Sequence, residues 1–317
     1  MARANGLTIA KVNRLRILYM GTPGIAVAPL RALARRYDVA GVFCRPDKPA
    51  GRKRELKPPA TKIAAAQLSI RVFQPESLKS SASLELIESL APDLIAVMAY
   101  GQILPKDILS IPKYGCINAH ASLLPKYRGA APVQYALMNG DVVTGVTIIR
   151  MDEGIDTGEI LSAAEFAIAD EDDAVSVFSK VSETAADLLP ETTELWAKGK
   201  ITAVKQDEDS ASYAPMIKKE TGRFSFSEDA RVIHNRIRGL CAWPAAYFEA
   251  RGKIVKVFKS AYVPERGSEG EVLSLKPLTV AASGGALALI DVLPASGKRM
   301  DGASFAAGLR LKKGDIL

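Results

Sequence analysis

Histidine is almost absent from this chain, with two among 317 residues, His120 and His234. Cysteine is nearly as scarce. Cys44, Cys116 and Cys241 are odd in number, far apart and without neighbouring histidines, so neither a disulfide framework nor a zinc site is expected, and the thiols read as buried and inert. No metal is implied. No run of about 18 apolar residues occurs, so nothing spans a bilayer as a helix. The first fourteen residues, MARANGLTIAKVNR, lack the apolar segment of a secretory signal, and a cytoplasmic protein is expected. Internal repeats and low-complexity tracts are also missing.

A dinucleotide fingerprint is incomplete as well. GTPG (21–24) follows the first strand candidate, but G-x-G-x-x-G needs a different glycine spacing, and the second strand ends in Cys44-Arg45 rather than in an acid for the ribose. A nicotinamide site is therefore not expected.

What is present suits a folded soluble protein: 48% hydrophobic and 24% charged residues. The length fits two domains. Net charge is +7, unevenly placed: residues 1–207 hold 25 cations against 23 acids, and 208–317 hold 17 against 12. The basic C-terminal part permits a polyanionic partner.

LRILYM, DVAGVFC, DLIAVMA, GCINA and GVTIIRM are strand candidates, with helical patterns such as 25–36 and SASLELIESLA between some of them. This βα alternation predicts an α/β fold with a mostly parallel sheet covered by helices on both faces. Residues 171–200 read as a long helix interrupted or kinked near Pro190, and 206–215 as a polar linker. Beyond it, a helix at 227–239 and the short runs KIVKVFKSAYV, EVLSL, LTVAA and ALALIDVL predict a small antiparallel barrel or sandwich, an OB fold first among them. The expected division is 1–207 and 208–317.

Several stretches can carry chemistry. RPDKPAGRKRELK (45–57) is a loop by composition with six cations. Alone it reads as a solvated surface loop; at the carboxyl end of a strand in an open parallel sheet, its cations would meet phosphates. In GCINAHASLLPKYRGAAPVQ (115–134), Asn118 and His120 are two residues apart. If extended, they share one side of a strand, roughly 6–7 Å apart, and can flank one small group, while Leu123, Leu124 and Pro125 can wall a flat apolar ligand. A third member is Asp156 in RMDEGIDTGEIL, whose carboxylate near His120 would orient the ring; Asp152, Glu153 and Glu159 compete for that role. His234, beside the apolar face of its helix, reads as structural, and Trp243 as core.

RILYMGTP, RPDKPAGR, VMAYGQILP, GCINAHASLLPKYRGAAPVQ and GVTIIRMDEGIDTG, in this order and spacing, resemble the methionyl-tRNA formyltransferase family from about Leu15 to the C-terminus. The resemblance implies a Rossmann-like catalytic domain, an OB-like C-terminal domain that helps hold tRNA, and transfer of formyl from 10-formyltetrahydrofolate to the methionine α-amine of initiator methionyl-tRNA by direct attack of the amine. It implies Asn118, His120 and Asp156 as catalytic residues. Folate contacts fall on Met98, Ala99, Tyr100 and Gly101, whose backbone matches that lining the pterin pocket, and on Ser122, Leu123, Leu124 and Pro125. Contacts to tRNA fall on Arg45, Lys48, Arg52, Lys53 and Arg54, and the enzyme is expected to be a monomer. The chain departs from the family pattern at Ala121, Gly24-Ile25 and Lys53, and residues 1–14 precede the usual start. Two rival readings remain: a formyltransferase acting on a sugar-nucleotide or glycinamide ribonucleotide amine, and a tRNA-binding protein without catalysis.

Overall fold

The computed structural model describes residues 15–50, 55–295 and 297–317. RILYMG forms β1 (Arg16–Gly21), closed to solvent from Ile17 onward, as a strand covered on both faces must be. A short turn leads into α1 (Val27–Arg36), which buries Pro29, Leu30 and Leu33 along one stripe. β2 (Asp38–Phe43) follows, then β3 (Lys48–Ala50) and β4 (Glu55–Lys57), α2 (Ala60–Gln67) and β5 (Val72–Phe73). Helix α3 (Ser81–Leu90) starts where the Ser80 hydroxyl accepts from the Ser83 amide at 3.3 Å. β6 (Leu94–Met98), α4 (Lys106–Ser110), β7 (Cys116–His120), β8 (Arg128–Gly129), α5 (Pro132–Met138), β9 (Val143–Arg150), β10 (Glu159–Ala167) and α6 (Ala174–Ala197) complete the first part.

One sheet runs in the order β10-β9-β7-β6-β1-β2-β5. Its pairs β1·β2, β1·β6, β2·β5 and β6·β7 are parallel, and β7·β9 is antiparallel. The sheet is thus mostly parallel, with strand direction reversed beside β7.

The chain continues through β11 (Tyr213–Ala214), α7 (Ala230–Gly239), β12 (Ala246–Ala250), β13 (Lys253–Val263), β14 (Val272–Leu275), β15 (Leu278–Ala282), β16 (Gly285–Pro294), β17 (Met300–Asp301) and α8 (Gly302–Gly308). Strands β12 to β17 form one antiparallel sheet.

Two compact units result. One takes residues up to His120 with Thr147–Ser162 and Ser182–Lys205; the other takes Ala121–Val146, Ala163–Val181 and Gln206–Leu317. The first centres on Leu18, Met20, Phe43, Ile87, Ile95 and Val97. In the second, Phe224, Phe226 and Phe248 stack at centroid distances of 5.1 to 5.7 Å within an aliphatic core, a favourable aromatic spacing.

Four expectations need correction. α6 runs through Pro190 without interruption: Leu188 and Leu189 carbonyls accept from the Thr192 and Thr193 hydroxyls at 2.7 Å, and Leu189 and Thr193 are fully buried, so packing outweighs the lost amide. Residues 206–215 are not a free linker. Buried Arg128 donates to Glu208 at 2.8 and 2.8 Å and to Gln206 at 2.8 and 3.0 Å, while β11 pairs with β8. Trp243 is 56% exposed, because Pro244, Ala245, Ala246 and Phe248 take the buried positions of that stretch. The basic stretch 45–57 is a two-stranded ribbon at its flanks, β3 pairing with β4.

His234 is 8% exposed and its Nδ1 lies 2.9 Å from the Ser260 hydroxyl. Burial first, then the Arg238 and Arg231 cations, push its pKa down from 6.5 to about 4, against a smaller opposing pull from Asp170. The unfolded chain therefore takes up this proton first. The contribution of the neutral ring is complete above pH 6.5 and is lost as pH falls toward 4, by about 1.4 kcal/mol per pH unit. Urea unfolding from pH 7 to pH 5 is expected to show this loss, and His234→Asn should flatten the slope; equal slopes would remove His234 as its source.

Candidate active site

Strand β7 ends in the site. Its register sets Asn118 beside Val97 of β6 and Ile149 of β9, and His120 beside Thr147. Alternation along the strand gives Asn118 and His120 the same side. Both reach one atom: Asn118 Nδ2 donates to Asp156 Oδ1 at 3.3 Å, and His120 Nδ1 lies 3.4 Å from the same oxygen. The imidazole is 6% exposed and the Asp156 side chain 15%. The three groups are therefore mutually placed and joined at a single carboxylate oxygen, with His120 buried and Asn118 and Asp156 half-buried.

Asp156 comes from the loop between β9 and β10, and its φ of +56° is left-handed. Aspartate tolerates this conformation better than most residues because its short polar side chain can bond locally. The loop around it is tightly built. Asp152 Oδ1 accepts from the Gly154 amide at 3.0 Å and the Thr157 hydroxyl at 2.7 Å. A Cβ on Gly158 would stand 1.9 Å from the Arg150 carbonyl oxygen, so only glycine lets the chain pass there. The competing acids are engaged elsewhere: Asp152 in this turn, Glu153 with Lys106 at 2.8 Å, and Glu159 with Arg150 at 3.9 Å.

The ends of β1, β2 and β6 are tied together nearby in the same unit. The Thr22 hydroxyl donates to the Tyr100 carbonyl at 2.8 Å and accepts from the Arg45 amide at 3.2 Å. Met98 and Tyr100 point into the core, and burial pushes the Tyr100 phenol up to about 12. Ala99 and Gly101 are exposed, with φ of +48° and +86°, so the stretch offers backbone more than side chain. Gln102 fixes it further, donating to the Tyr100 hydroxyl at 3.3 Å and the Pro75 carbonyl at 3.2 Å. Neither Thr22 nor Gln102 is marked by sequence spacing; a hydroxyl directly after the first-strand glycine is the one signal available for Thr22.

In the other unit, Ser122 is buried and donates to the Lys126 carbonyl at 2.6 Å, Leu124 is buried, Leu123 and Pro125 are half-buried, and the Pro125 carbonyl accepts from the Ser212 amide at 3.2 Å. Arg45 Nη1 donates to the Glu76 carbonyl at 3.3 Å, and Lys48 is exposed on the ribbon. Arg52, Lys53 and Arg54 lie outside the described residues. Cys44 and Cys116 are buried, and burial pushes their thiols up to about 11 and about 12. Among the described residues no group of three or more His, Cys, Asp or Glu is placed to hold a metal ion, and no helix is long and apolar enough to cross a membrane.

Known proteins resemble this chain over both parts. The formyl transferase family matches residues 15–193, and the formyl transferase C-terminal domain matches residues 216–310. Proteins named methionyl-tRNA formyltransferase are 43% identical in Citrifermentans bemidjiense, over 96% of each chain, and 44% identical in Listeria monocytogenes, over 92% of this chain and 95% of that one. The chain belongs to the methionyl-tRNA formyltransferase family. Among solved folds, HypX from Aquifex aeolicus in complex with tetrahydrofolic acid aligns with a TM-score of 0.65 at 18% identity over 96% of this chain; the chain spans about half of HypX, 49%. WlaRD, a sugar 3N-formyl transferase, aligns with a TM-score of 0.64 at 19% identity over 89% of this chain and 97% of that one. At these identities the two structures share the formyltransferase fold.

Within this family member the Asp156 loop gives a direct test. Gly158→Ala cannot be accommodated without moving the loop, and a misplacement on the order of 1 Å near reacting groups costs about 100-fold in kcat. Formyl transfer by the Gly158→Ala variant is expected to fall by that order with its fold intact by circular dichroism; unchanged kcat would show that the loop tolerates the shift.

Proposed function

We propose that this chain transfers formyl from 10-formyltetrahydrofolate to the α-amine of methionine on initiator methionyl-tRNA, and that Asn118, His120 and Asp156 are its catalytic residues. The observation that carries the reading is the convergence of an amide and an imidazole on the Asp156 carboxylate, in a chain 43% identical to a methionyl-tRNA formyltransferase over 96% of its length.

When an amine attacks an N-formyl group, negative charge grows on the formyl oxygen and positive charge on the nitrogen. The Asn118 amide carries two N–H donors. With one on Asp156, the second is oriented for the developing oxyanion, an interaction whose removal costs about 100- to 1000-fold. His120 presents Nδ1 to Asp156, so proton transfer runs through Nε2, taking a proton from the attacking nitrogen and returning one to the leaving folate nitrogen, worth roughly 100- to 10,000-fold. Asp156 holds the ring and fixes its tautomer. No covalent protein intermediate is required.

The exposed backbone at Ala99 and Gly101 supports a role in seating the pterin, and Ser122 to Pro125 complete the folate set by family likeness. Arg45, Lys48, Arg52, Lys53 and Arg54 are assigned to the tRNA backbone, with 208–317 acting as the tRNA-holding domain and 1–207 as the catalytic one.

The deciding assay offers labelled 10-formyltetrahydrofolate with charged initiator tRNA, charged elongator tRNA or sugar-nucleotide amines. Label is expected on initiator methionyl-tRNA; preferential labelling of a sugar amine would transfer the reading to the rival formyltransferases. His120→Ala and Asp156→Asn should each lower kcat by at least about 100-fold with tRNA affinity retained, and normal turnover in either variant would refute the catalytic assignment. Arg52→Ala should raise KM for tRNA and reduce its dependence on salt, whereas an equal loss with a small methionine ester would place Arg52 in the chemistry instead.

A further inference from the structure

A cavity of about 370 Å³ lies wholly within the unit that contains the C-terminal sheet, and Asn118, His120 and Asp156 take no part in it. Helix α7 and strand β13 wall it with Arg231, His234, Arg238, Phe258, Lys259 and Tyr262. Arg238 is 9% exposed. Its Nε donates to Asn235 at 2.9 Å and its Nη1 to the Ala169 and Asp172 carbonyls at 3.1 and 3.3 Å. Among the described residues no acceptor meets Nη2, yet that atom is not sealed off, since no closed-off side-chain nitrogen or oxygen among them lacks a partner. Among the described residues neither Arg238 nor Lys259 has a carboxylate oxygen within 4.0 Å. Asp170 and Asp172 act on Arg238 only from beyond ion-pair distance, and a nearly buried cation so incompletely compensated is costly.

The facing acids are mostly engaged. Asp172 accepts from the Ala169 amide, Ser176 and Lys180; Asp173 caps the first turn of α6 through the Val175 and Ser176 amides; Asp170 pairs with Arg231 at 3.6 Å. Glu171 is left exposed at the rim. Flat surfaces adjoin these donors: the Arg231 guanidinium lies 4.0 Å over the Tyr262 ring, and Arg299, its edge held by Asp291, lies 4.1 Å over Phe258. Guanidinium and aromatic planes of this kind accept stacked bases.

We infer that this cavity binds a nucleotide, its phosphate at Arg238 Nη2 and Lys259 and its base against the guanidinium and aromatic planes. The site stands apart from the formyl-transfer reading. The nucleotide has two possible sources, an unpaired residue of the RNA substrate or a free nucleotide, and only the choice between them draws on that reading.

Titration of the full chain with inorganic phosphate, AMP and CMP, followed by ³¹P NMR, tests the site. Both nucleotides are expected to bind more tightly than phosphate. Lys259→Ala, on an exposed position, and Arg238→Lys, which keeps charge and loses the planar fork, should each weaken AMP by about 10-fold, the size of one charge-assisted hydrogen bond. No binding of AMP or phosphate, or equal affinity in wild type and Lys259→Ala, would overturn the inference. A rise in KM for charged tRNA that exceeds any fall in kcat in Lys259→Ala would assign the nucleotide to the RNA; weaker AMP binding without that rise would make it a free ligand of the same site.

Discussion

One carboxylate oxygen, Asp156 Oδ1, organises the site. It takes a hydrogen bond from Asn118 and faces His120, so the two side chains of β7 are held in relation to each other through a residue 36 to 38 positions later. That arrangement depends on backbone rather than on side-chain packing. Asp156 is left-handed, Asp152 closes the turn before it, and Gly158 lets the chain pass the Arg150 carbonyl. Strain of about 1 to 3 kcal/mol at such a residue persists only where neighbours fix it, and here two hydrogen bonds and a steric limit do so.

A parallel sheet places all its carboxyl ends on one edge, which is where ligands bind in open α/β folds. In this chain β1, β6 and β7 deliver Thr22, Ala99 to Gly101, and Asn118 with His120 to that edge. The Thr22 hydroxyl, bonded to both Tyr100 and Arg45, locks three strand ends with one side chain. The antiparallel β9 then carries the chain away from that edge, and the loop beyond it can fold back only through a tight turn.

Legibility in the sequence followed the strength of local pattern. Buried runs such as RILYMG and LIAVM read as strands because burial on both faces leaves no other composition, and the paired placement of Asn118 and His120 needed only the period of two. Asp156 could not be separated from Asp152, Glu153 and Glu159 by spacing, since its position is set by loop geometry. Pro190 was read locally as an interruption or a kink, while the helix continues across it with Leu189 and Thr193 buried. Polar residues at 206–215 looked like solvent-facing chain, but two of them answer the buried charge of Arg128, a partner about 80 positions earlier. Trp243 failed for the opposite reason: apolar character shows affinity for a core, and the turn decides whether the core is reached.

The two histidines show how environment divides a scarce residue between roles. His234 is buried, bonded to a serine and flanked by Arg231 and Arg238, so its ring remains neutral until the medium is strongly acidic, and it cannot exchange a proton near neutrality. His120 faces a carboxylate. The thiols offer no alternative, since burial keeps Cys44 and Cys116 protonated and therefore poor nucleophiles. Under the proposed assignment, proton transfer falls to one imidazole, and direct attack by a substrate amine is the chemistry that needs an oxyanion donor, a proton carrier and nothing covalent from the protein.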